Sequence, residues 1–134
     1  MHKRVETVLQ LPLHRYLGVS RIDASDGEAN LLFEVNEATL NPAGVLHGGV
    51  IYTLCDVCAY AGLLTVLDDD QEAVTHDIHI SAMRSATLGQ QVSLQSRLLK
   101  RGRSLCFLEV SAEADGKLIA SARVTKSLVR VSAS

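Results

Sequence analysis

The chain lacks several features that would point to particular classes of protein. It has two prolines and no tryptophan. Only 4% of its residues are aromatic, so the composition does not indicate a site that stacks on aromatic groups. A hydrophobic content of 47% argues against disorder, and a net charge of −2 gives no attraction to nucleic acid or to an anionic membrane surface. No uninterrupted apolar run reaches the roughly 18 residues that a membrane span needs. A length of 134 residues favours a single domain, residues 1–134.

The sequence also lacks the apolar stretch of a secretory signal. Basic residues open the chain, but Glu6, Gln10 and Pro12 interrupt the apolar residues that follow. Three cysteines are an odd number for a disulfide-bonded secreted protein. We therefore expect free thiols and a cytoplasmic location.

The hydrophobic pattern predicts one long helix and several strands. Residues 47–67 are apolar on almost every side, so we expect a helix there that is buried on every side. A short helical segment over residues 5–16, within an N-terminal extension of residues 1–20, precedes it and bends near Pro12. The predicted strands are residues 29–35, 72–83, 90–100, 104–114 and 117–131.

Turn signals indicate how the later strands connect. Arg101-Gly102 and Asp115-Gly116 are short links, and strands joined in this way are antiparallel neighbours. We therefore expect the last four strands to form a meander. A curved antiparallel sheet can wrap one side of the helix, and a second copy of the protein would cover more. The predicted fold class is α+β.

Asp56 stands out because it is the only formally charged side chain between His47 and Asp68. Burying a lone carboxylate is costly unless it is paired or hydrogen-bonded, so such a residue usually has a task. That task can be catalytic. It can equally be structural, if the carboxylate reaches an arginine or backbone amides, or lies at a subunit seam.

Glycines lie where the long helix begins. Backbone N–H groups in a first helical turn lack intrahelical partners, and the helix dipole favours negative charge there. Gly48 and Gly49 would let a substrate carbonyl approach those N–H groups closely, as an oxyanion hole requires. The alternative is a glycine-rich helix entry that His47 caps.

The spacing separates this helix entry from the carboxylate. Asp56 follows His47 by nine residues, which is about 13 Å along a helix. That is too far for both to act on one substrate atom within one chain. If both are catalytic, they meet most simply across a two-fold interface between antiparallel helices. We therefore expect an obligate homodimer with two sites, each built from both chains.

The same residues carry a resemblance to a known family. The pattern Asn41-x-x-Gly44-x-x-His47-Gly48-Gly49-x-x-x-x-Leu54-x-Asp56 resembles the signature of the hotdog-fold thioesterases of the phenylacetate-pathway and 4-hydroxybenzoyl-CoA type. Residues 74–80, 99–105 and 115–120 resemble the family's later strands and turns, in matching order. The likeness runs from about residue 23 to residue 129. It implies a hotdog fold, in which five to six antiparallel strands curve around a central helix.

The resemblance also implies an activity and roles for particular residues. The activity is hydrolysis of an acyl-CoA thioester, without a metal or organic cofactor and with CoA as part of the substrate. Asp56 would be the nucleophile or general base, and the Gly48 amide would polarise the carbonyl. Asn41 and His47 would position the carbonyl, the sulfur or the water, while Thr75 would orient the attacking water. Similar proteins imply a homotetramer.

Coenzyme A carries phosphates, so its site needs cations at the mouth. Arg84, Lys100, Arg101 and Arg103 are the candidates, and Arg103 is foremost because it follows the turn glycine. Gly49 joins this substrate-binding set at the helix entry. Each of the four charges could instead be simply solvated.

Other groups of residues give weaker evidence for a redox, metal or hydrolytic site. Cys55-x-x-Cys58 lies at least two turns inside the helix, away from the dipole that activates redox pairs, and no second cysteine pair completes a zinc site. His76 and His79 have a metal-like spacing, but positions three apart on a strand point to opposite faces. The sequence has no Gly-x-Ser-x-Gly elbow, phosphate loop or dinucleotide motif.

Two other functions compete with hydrolysis. A hotdog module could bind acyl-CoA without turning it over, although such a binder gains nothing from Asp56. A hotdog hydratase or dehydratase would need an acid/base pair, and the sequence shows one buried carboxylate. The sequence leaves the acyl group open.

Overall fold

The computed structural model describes residues 2–131; residue 1 and residues 132–134, the two ends of the expected domain, lie outside the described part. Pro12 separates two short helices, because it has no N–H to donate and fits the first turn of the second helix. In chain order the elements are α1 (Lys3–Gln10), α2 (Pro12–Leu17), β1 (Val19–Ser25), β2 (Glu28–Glu34), a 3₁₀ turn (Glu37–Thr39), α3 (Gly48–Leu64), β3 (Gln71–Ala82), β4 (Gln91–Arg101), β5 (Leu105–Ala114) and β6 (Lys117–Arg130). No helix within residues 2–131 is long and apolar enough to cross a bilayer.

The six strands form one antiparallel sheet in the order β1-β2-β4-β5-β6-β3. Asp26-Gly27 joins β1 to β2, and Asp115-Gly116 joins β5 to β6. All four of these residues have positive φ, from 51° to 83°, as a tight two-residue hairpin turn requires. The expected antiparallel pairing across the short links is confirmed for β4 with β5 and for β5 with β6.

The sheet differs from the expected arrangement at both edges. The sequence pattern did not predict β1, because its buried residues Val19 and Ile22 are three apart and a register shift between Val19 and Arg21 breaks the alternation. The four-strand meander is wrong: β3 pairs with β6 rather than with β4. Residues 83–90 then carry the chain from this edge back to β4.

α3 packs against the sheet and supplies much of the core. Its Leu54 and Leu63 are fully buried, as is Leu94 on β4. The approach is close at Gly62, where a Cβ would meet the Gly27 carbonyl oxygen at 3.0 Å. A residue without a side chain therefore lets the end of α3 touch the β1–β2 turn.

A single chain does not bury the long helix on every side, which agrees with the expectation that one sheet wraps only one side of it. Gly49 and Tyr52 are exposed and Asp56 is half-buried, and their spacing of three to four residues places them on one helical face. β3 forms the neighbouring edge of the sheet, and its Val74 is 49% exposed. One chain thus leaves a stripe of α3 and one long strand edge open.

Candidate active site

Asp56 lies midway along α3 on its open side, with 30% of its side chain exposed. Thr75 on β3 places Oγ1 2.9 Å from each carboxylate oxygen, and Lys126 on β6 places Nζ 2.6 Å from Oδ1. The structure therefore brings together Asp56 and Thr75, two residues to which the family resemblance gives roles in one site. Lys126, the charged partner of Asp56, lies on the side of the carboxylate that faces the sheet. The side that faces away from the sheet is accessible.

Lys126 is the member of this cluster that sequence reasoning missed. Its side chain is 3% exposed, and it donates to Thr75 Oγ1 at 2.9 Å as well as to Asp56. The alternation that places positions 118, 120, 122, 124 and 128 on one face of β6 includes position 126. The sequence signal for the Asp56–Lys126 pair is a lysine at an apolar-face position of a strand, together with a lone carboxylate on an apolar helix.

Polar contacts continue from this pair towards α1. The Tyr60 ring lies 5.4 Å from Lys126 Nζ, and the Tyr60 hydroxyl donates to Glu72 Oε1 at 2.7 Å. Burial, then the hydrogen bond to Glu72 and its charge, raise the pKa of Tyr60 to about 12. Burial alone would raise the pKa of Glu72, but hydrogen bonds from Tyr60 and the Ala73 N–H, together with the Arg4 charge at 3.3 Å, outweigh it and lower that pKa. Tyr60 is therefore a neutral donor and Glu72 an ionised acceptor.

The helix entry leaves one amide free. His47 is the N-cap of α3, and its Nδ1 accepts a hydrogen bond from the Gly49 N–H at 2.8 Å. His47 therefore caps the helix, as the alternative interpretation of this motif expected, and its side chain occupies the Gly49 N–H. The Gly48 N–H has no hydrogen-bond partner among residues 2–131. Gly48 is also exposed, so this amide at the positive end of the helix is open to a ligand.

Asn41 folds the loop ahead of the helix. Its Oδ1 accepts from the Ala43 and Val45 N–H groups at 2.9 and 3.2 Å, and its own N–H donates to the Val45 carbonyl at 2.8 Å. Because both side-chain contacts involve N–H donors, the amide oxygen faces them and the NH₂ group points the other way. That NH₂ group remains available to donate.

The predicted catalytic residues thus fall into two groups within one chain. Asp56 and Thr75 are in contact, while Asn41, His47 and Gly48 lie at the helix entry. Gly48 precedes Asp56 by eight residues, about 12 Å along α3. One chain alone does not bring the two groups onto one substrate atom.

Three of the basic candidates lie at the other end of α3. Lys100, Arg101 and Arg103 flank the turn between β4 and β5, and all three are exposed. The Arg101 guanidinium donates to the Val66 carbonyl at 2.5 Å, just beyond the helix C-terminus, where the dipole favours a cation. The simply solvated alternative therefore does not describe Arg101. Within residues 2–131, Lys100 and Arg103 make no such side-chain hydrogen bond.

Arg84 lies near the start of α3 instead. The segment that follows β3 bonds to the helix entry, since the Leu46 N–H donates to the Ala86 carbonyl at 2.8 Å. Arg84 and Lys117 line an open cleft of about 380 Å³. The four basic candidates thus lie at two ends of one helix and not at one mouth.

A larger cleft, of about 580 Å³, is remote from this site. It is lined in part by Gln95, Arg97 and Glu109. Ser96, between the first two, donates to the Cys58 carbonyl on α3, so Gln95 and Arg97 point to the opposite face of the sheet. This cleft does not include Asp56 and has no contact with the helix entry.

The cysteines lie inside the fold, and the described residues form no metal-holding group. Cys55, Cys58 and Cys106 are free, as the sequence predicted, and all three are buried. Burial, followed by the neighbouring charges of Cys58 and Asp56, raises the pKa of Cys55 to about 12, and burial raises that of Cys58 to about 12. Residues 2–131 contain no group of three or more His, Cys, Asp or Glu side chains arranged to hold a metal ion.

Known proteins share this sequence pattern. The Thioesterase superfamily matches residues 43–126, from the loop before α3 to Lys126. Human acyl-coenzyme A thioesterase 13 is 34% identical over 117 residues, which cover 85% of this chain and 83% of the relative. The chain belongs to the thioesterase superfamily and is a thioester hydrolase.

Solved structures share the architecture. A phenylacetic acid degradation-related protein from Ralstonia eutropha has a TM-score of 0.82 at 27% identity, covering 93% of this chain and 96% of its own. A thioesterase from Haemophilus influenzae has a TM-score of 0.86 at 22% identity, with 98% and 92% covered, and shows the fold alone. The expected hotdog fold is confirmed, with six antiparallel strands around one long helix.

Proposed function

We propose that this hydrolase acts on an acyl-CoA thioester, releasing a carboxylic acid and CoA, with Asp56 as the reacting carboxylate. The observation that carries the proposal is the setting of Asp56: it is the one charge on α3, half-buried, with Thr75 in contact with both of its oxygens. A carboxylate held in this way on an open helix face is available to a water or to a carbonyl carbon. The name of the human relative supports acyl-CoA as the substrate class.

The chemistry has two routes that use the same residue. In one, Asp56 takes a proton from a water whose oxygen bonds to the thioester carbon. The Gly48 N–H then donates to the oxyanion that forms on the carbonyl oxygen. The carbon–sulfur bond breaks, its electron pair leaves with sulfur, and the proton on Asp56 passes to the CoA thiolate.

In the other route, an Asp56 oxygen bonds directly to the carbonyl carbon and CoA leaves as the thiolate. A water then hydrolyses the resulting anhydride: its oxygen bonds to the acyl carbon, the bond from that carbon to the Asp56 oxygen breaks to restore the carboxylate, and the acid is released. The proton that this step frees balances the one that the CoA thiolate takes up. Neither route draws on a metal or an organic cofactor, and CoA enters only as part of the substrate.

The two halves of the site come from different chains in the proposed homodimer. If two α3 helices pair antiparallel about a two-fold axis near Tyr52, the Gly48 of one chain lies beside the partner's Asp56. Tyr52 is midway between those residues and 42% exposed, as an apolar contact on such an axis would be in a single chain. The open edge of β3 could pair with its symmetry mate, which would remove an aggregation-prone edge. Two such dimers would give the homotetramer that the resemblance implies.

The same symmetry accounts for the divided basic residues. With the axis near Tyr52, the start of one α3 would lie beside the middle of the partner's α3, whose end would reach about 12 Å further, towards the loop ahead of the first chain's α3. Arg84 of one chain would then approach the partner's Lys100 and Arg103 at a single mouth. Guanidinium groups bind phosphate bidentately, so this mouth suits the phosphates of CoA.

Thiol release from a panel of short, medium, long and aryl acyl-CoAs tests the proposal. Wild type should release CoA from at least one of them, and Asp56→Asn should lower kcat by about 10²- to 10⁴-fold because the reacting group is gone. Asp23→Asn is the matched control, since Asp23 is an exposed carboxylate on β1, at the opposite sheet edge from β3. A thiol reagent can measure the released CoA without interference from Cys55 and Cys58, because burial keeps these two thiols protonated and therefore unreactive.

Three outcomes would contradict the proposal in different ways. Release of no CoA from any thioester would exclude the substrate class. Full turnover by Asp56→Asn would exclude the carboxylate assignment. Hydration of a double bond without thiol release would move the protein to the hydratases.

The proposed binding of CoA phosphates by basic residues at the mouth of the site has a separate test. Arg103→Ala should raise KM for acyl-CoA about tenfold while leaving kcat within about threefold, because it removes a phosphate contact far from the reacting carbon. Arg21→Ala is the control, since Arg21 is an exposed arginine on β1. Equal effects of the two variants on KM would show that Arg103 is an ordinary surface charge.

A further inference from the structure

Lys126 is a buried cation that faces the candidate active site. It is 2% exposed on β6, which lies between β5 and β3, and its Nζ is 2.6 Å from Asp56 Oδ1. Burying an ammonium group is costly unless it is paired and hydrogen-bonded, and Lys126 meets both conditions with Asp56 and Thr75. Among the ion pairs of residues 2–131, only this one includes Asp56.

The hydrogen bonds give the two carboxylate oxygens different surroundings. Lys126 donates to Thr75 Oγ1, so the threonine hydroxyl accepts there and its single proton is directed to Asp56. Asp56 Oδ1 accepts from Lys126, whereas the only side chain that donates a hydrogen bond to Oδ2 in the described structure is Thr75. Oδ1 is thus held, and Oδ2 retains lone pairs for a water or a carbonyl carbon.

The surroundings of Lys126 keep it in place. Its ammonium group lies 5.4 Å from the centre of the Tyr60 ring, a distance at which a cation is attracted to an aromatic face. Tyr60 is held in turn by its hydrogen bond to Glu72, which pairs with Arg4. Four elements, α1, α3, β3 and β6, therefore fix the position of this cation.

We propose that Lys126 is a positioning residue of the active site. It holds Asp56 Oδ1 and, with Thr75, directs Oδ2 towards the reacting carbon or water, while its charge offsets that of the half-buried carboxylate. The inference rests on the proposed function, in which Asp56 is the reacting group. Lys126 neither gives nor takes a proton in either route. A purely structural ion pair would change the stability of the enzyme but not the kcat of the folded protein.

Steady-state kinetics of Lys126 variants on the preferred acyl-CoA separate these roles. Lys126→Met keeps most of the length of the side chain and removes its charged ammonium group, so kcat should fall about 10- to 100-fold while KM stays within about threefold. Lys126→Arg, which restores a cation, should recover at least part of that loss. Lys3→Met, at an exposed position on α1, is the matched control. If Lys126→Met does not fold, Lys126→Gln replaces it, because its amide gives the buried site an N–H donor; kcat should again fall, since the charge is gone and the side chain is shorter.

A double-mutant cycle completes the test. In an Asp56→Asn background, adding Lys126→Met should lower the residual activity by less than about threefold, because no carboxylate is left to position. Independent, multiplicative losses would overturn the inference, as would a folded Lys126→Met or Lys126→Gln enzyme with wild-type kcat. A kcat that Lys126→Arg leaves as low as Lys126→Met would overturn it too. A wild type without thioesterase activity would overturn the proposed function together with this inference, so the two failures are distinguishable.

Discussion

The amide of Gly48 can be removed with little disturbance to the fold. Gly48 is the first residue of α3, the position at which proline is best tolerated in a helix, and a Cβ there would meet no atom within 4 Å. His47 before it is already extended, at φ −67° and ψ 132°, as a residue before proline prefers. Gly48→Pro therefore deletes the N–H group and little else. If this N–H donates to the oxyanion as proposed, its loss should lower kcat about 10²- to 10³-fold. Gly48→Ala, which keeps the N–H, should remain at least about tenfold more active than Gly48→Pro.

Mixing two inactive variants then tests whether the site is shared. In the proposed homodimer, a chain carrying Gly48→Pro and a chain carrying Asp56→Asn form one intact site and one site with both lesions. After random exchange of subunits half of the dimers are mixed, so about a quarter of wild-type kcat should return. Thiol release before and after co-refolding measures it. If the mixture is no more active than its components, although mixed dimers form, each site lies within one chain and the two-fold arrangement is wrong.

Three further predictions concern stability and reactivity. Because the pKa of Glu72 is lowered in the folded state, its contribution is present above its ordinary value of 4.5 and is lost as pH falls through the lowered value. Urea unfolding of Glu72→Gln should therefore show a deficit of about 1 kcal/mol at pH 7 that shrinks near pH 3, and a constant deficit would refute the linkage. Gly62→Ala should lower the free energy of unfolding by about 1 kcal/mol, because its Cβ would lie 3.0 Å from a backbone oxygen, and this contact outweighs the helix preference for alanine. A Tm at or above that of wild type would show that α3 can shift to make room. Cys55 and Cys58, each with a pKa of about 12, should react with a thiol reagent at pH 8 at least about 100-fold more slowly in the native protein than in urea, and rapid native reaction would mean that α3 opens.

The sequence was most informative where one local rule decides the structure. α3 begins within one residue of its predicted start, because apolar residues on every side and the glycines ahead of them define a buried helix and its entry. The turns at Arg101-Gly102 and Asp115-Gly116 set the pairing of β4 with β5 and of β5 with β6. Each of these features depends on neighbours along the chain.

Features that depend on distant parts of the chain were not predictable in the same way. The pairing of β3 with β6 joins residues about 50 positions apart, and no turn between them specifies it. β1 fails the alternation test because of its irregular register. Open surfaces are also a property of the whole fold: the pattern of α3 predicts burial all round, and only the position of the sheet shows which stripe remains uncovered.

The candidate site shows both limits in one pair of residues. Asp56 is visible in the sequence because a charge interrupts an apolar helix, whereas Lys126 is hard to distinguish in a strand that also carries charges at exposed positions. The rule that a buried charge needs a partner predicts that a partner exists, but not which residue 70 positions away supplies it. The fold supplies it by bringing β6 under the middle of α3. A sheet that wraps one side of a helix can hold a carboxylate from beneath by Thr75 and Lys126 while its other side stays open, and an open side is where a substrate and a second helix N-terminus would have to approach.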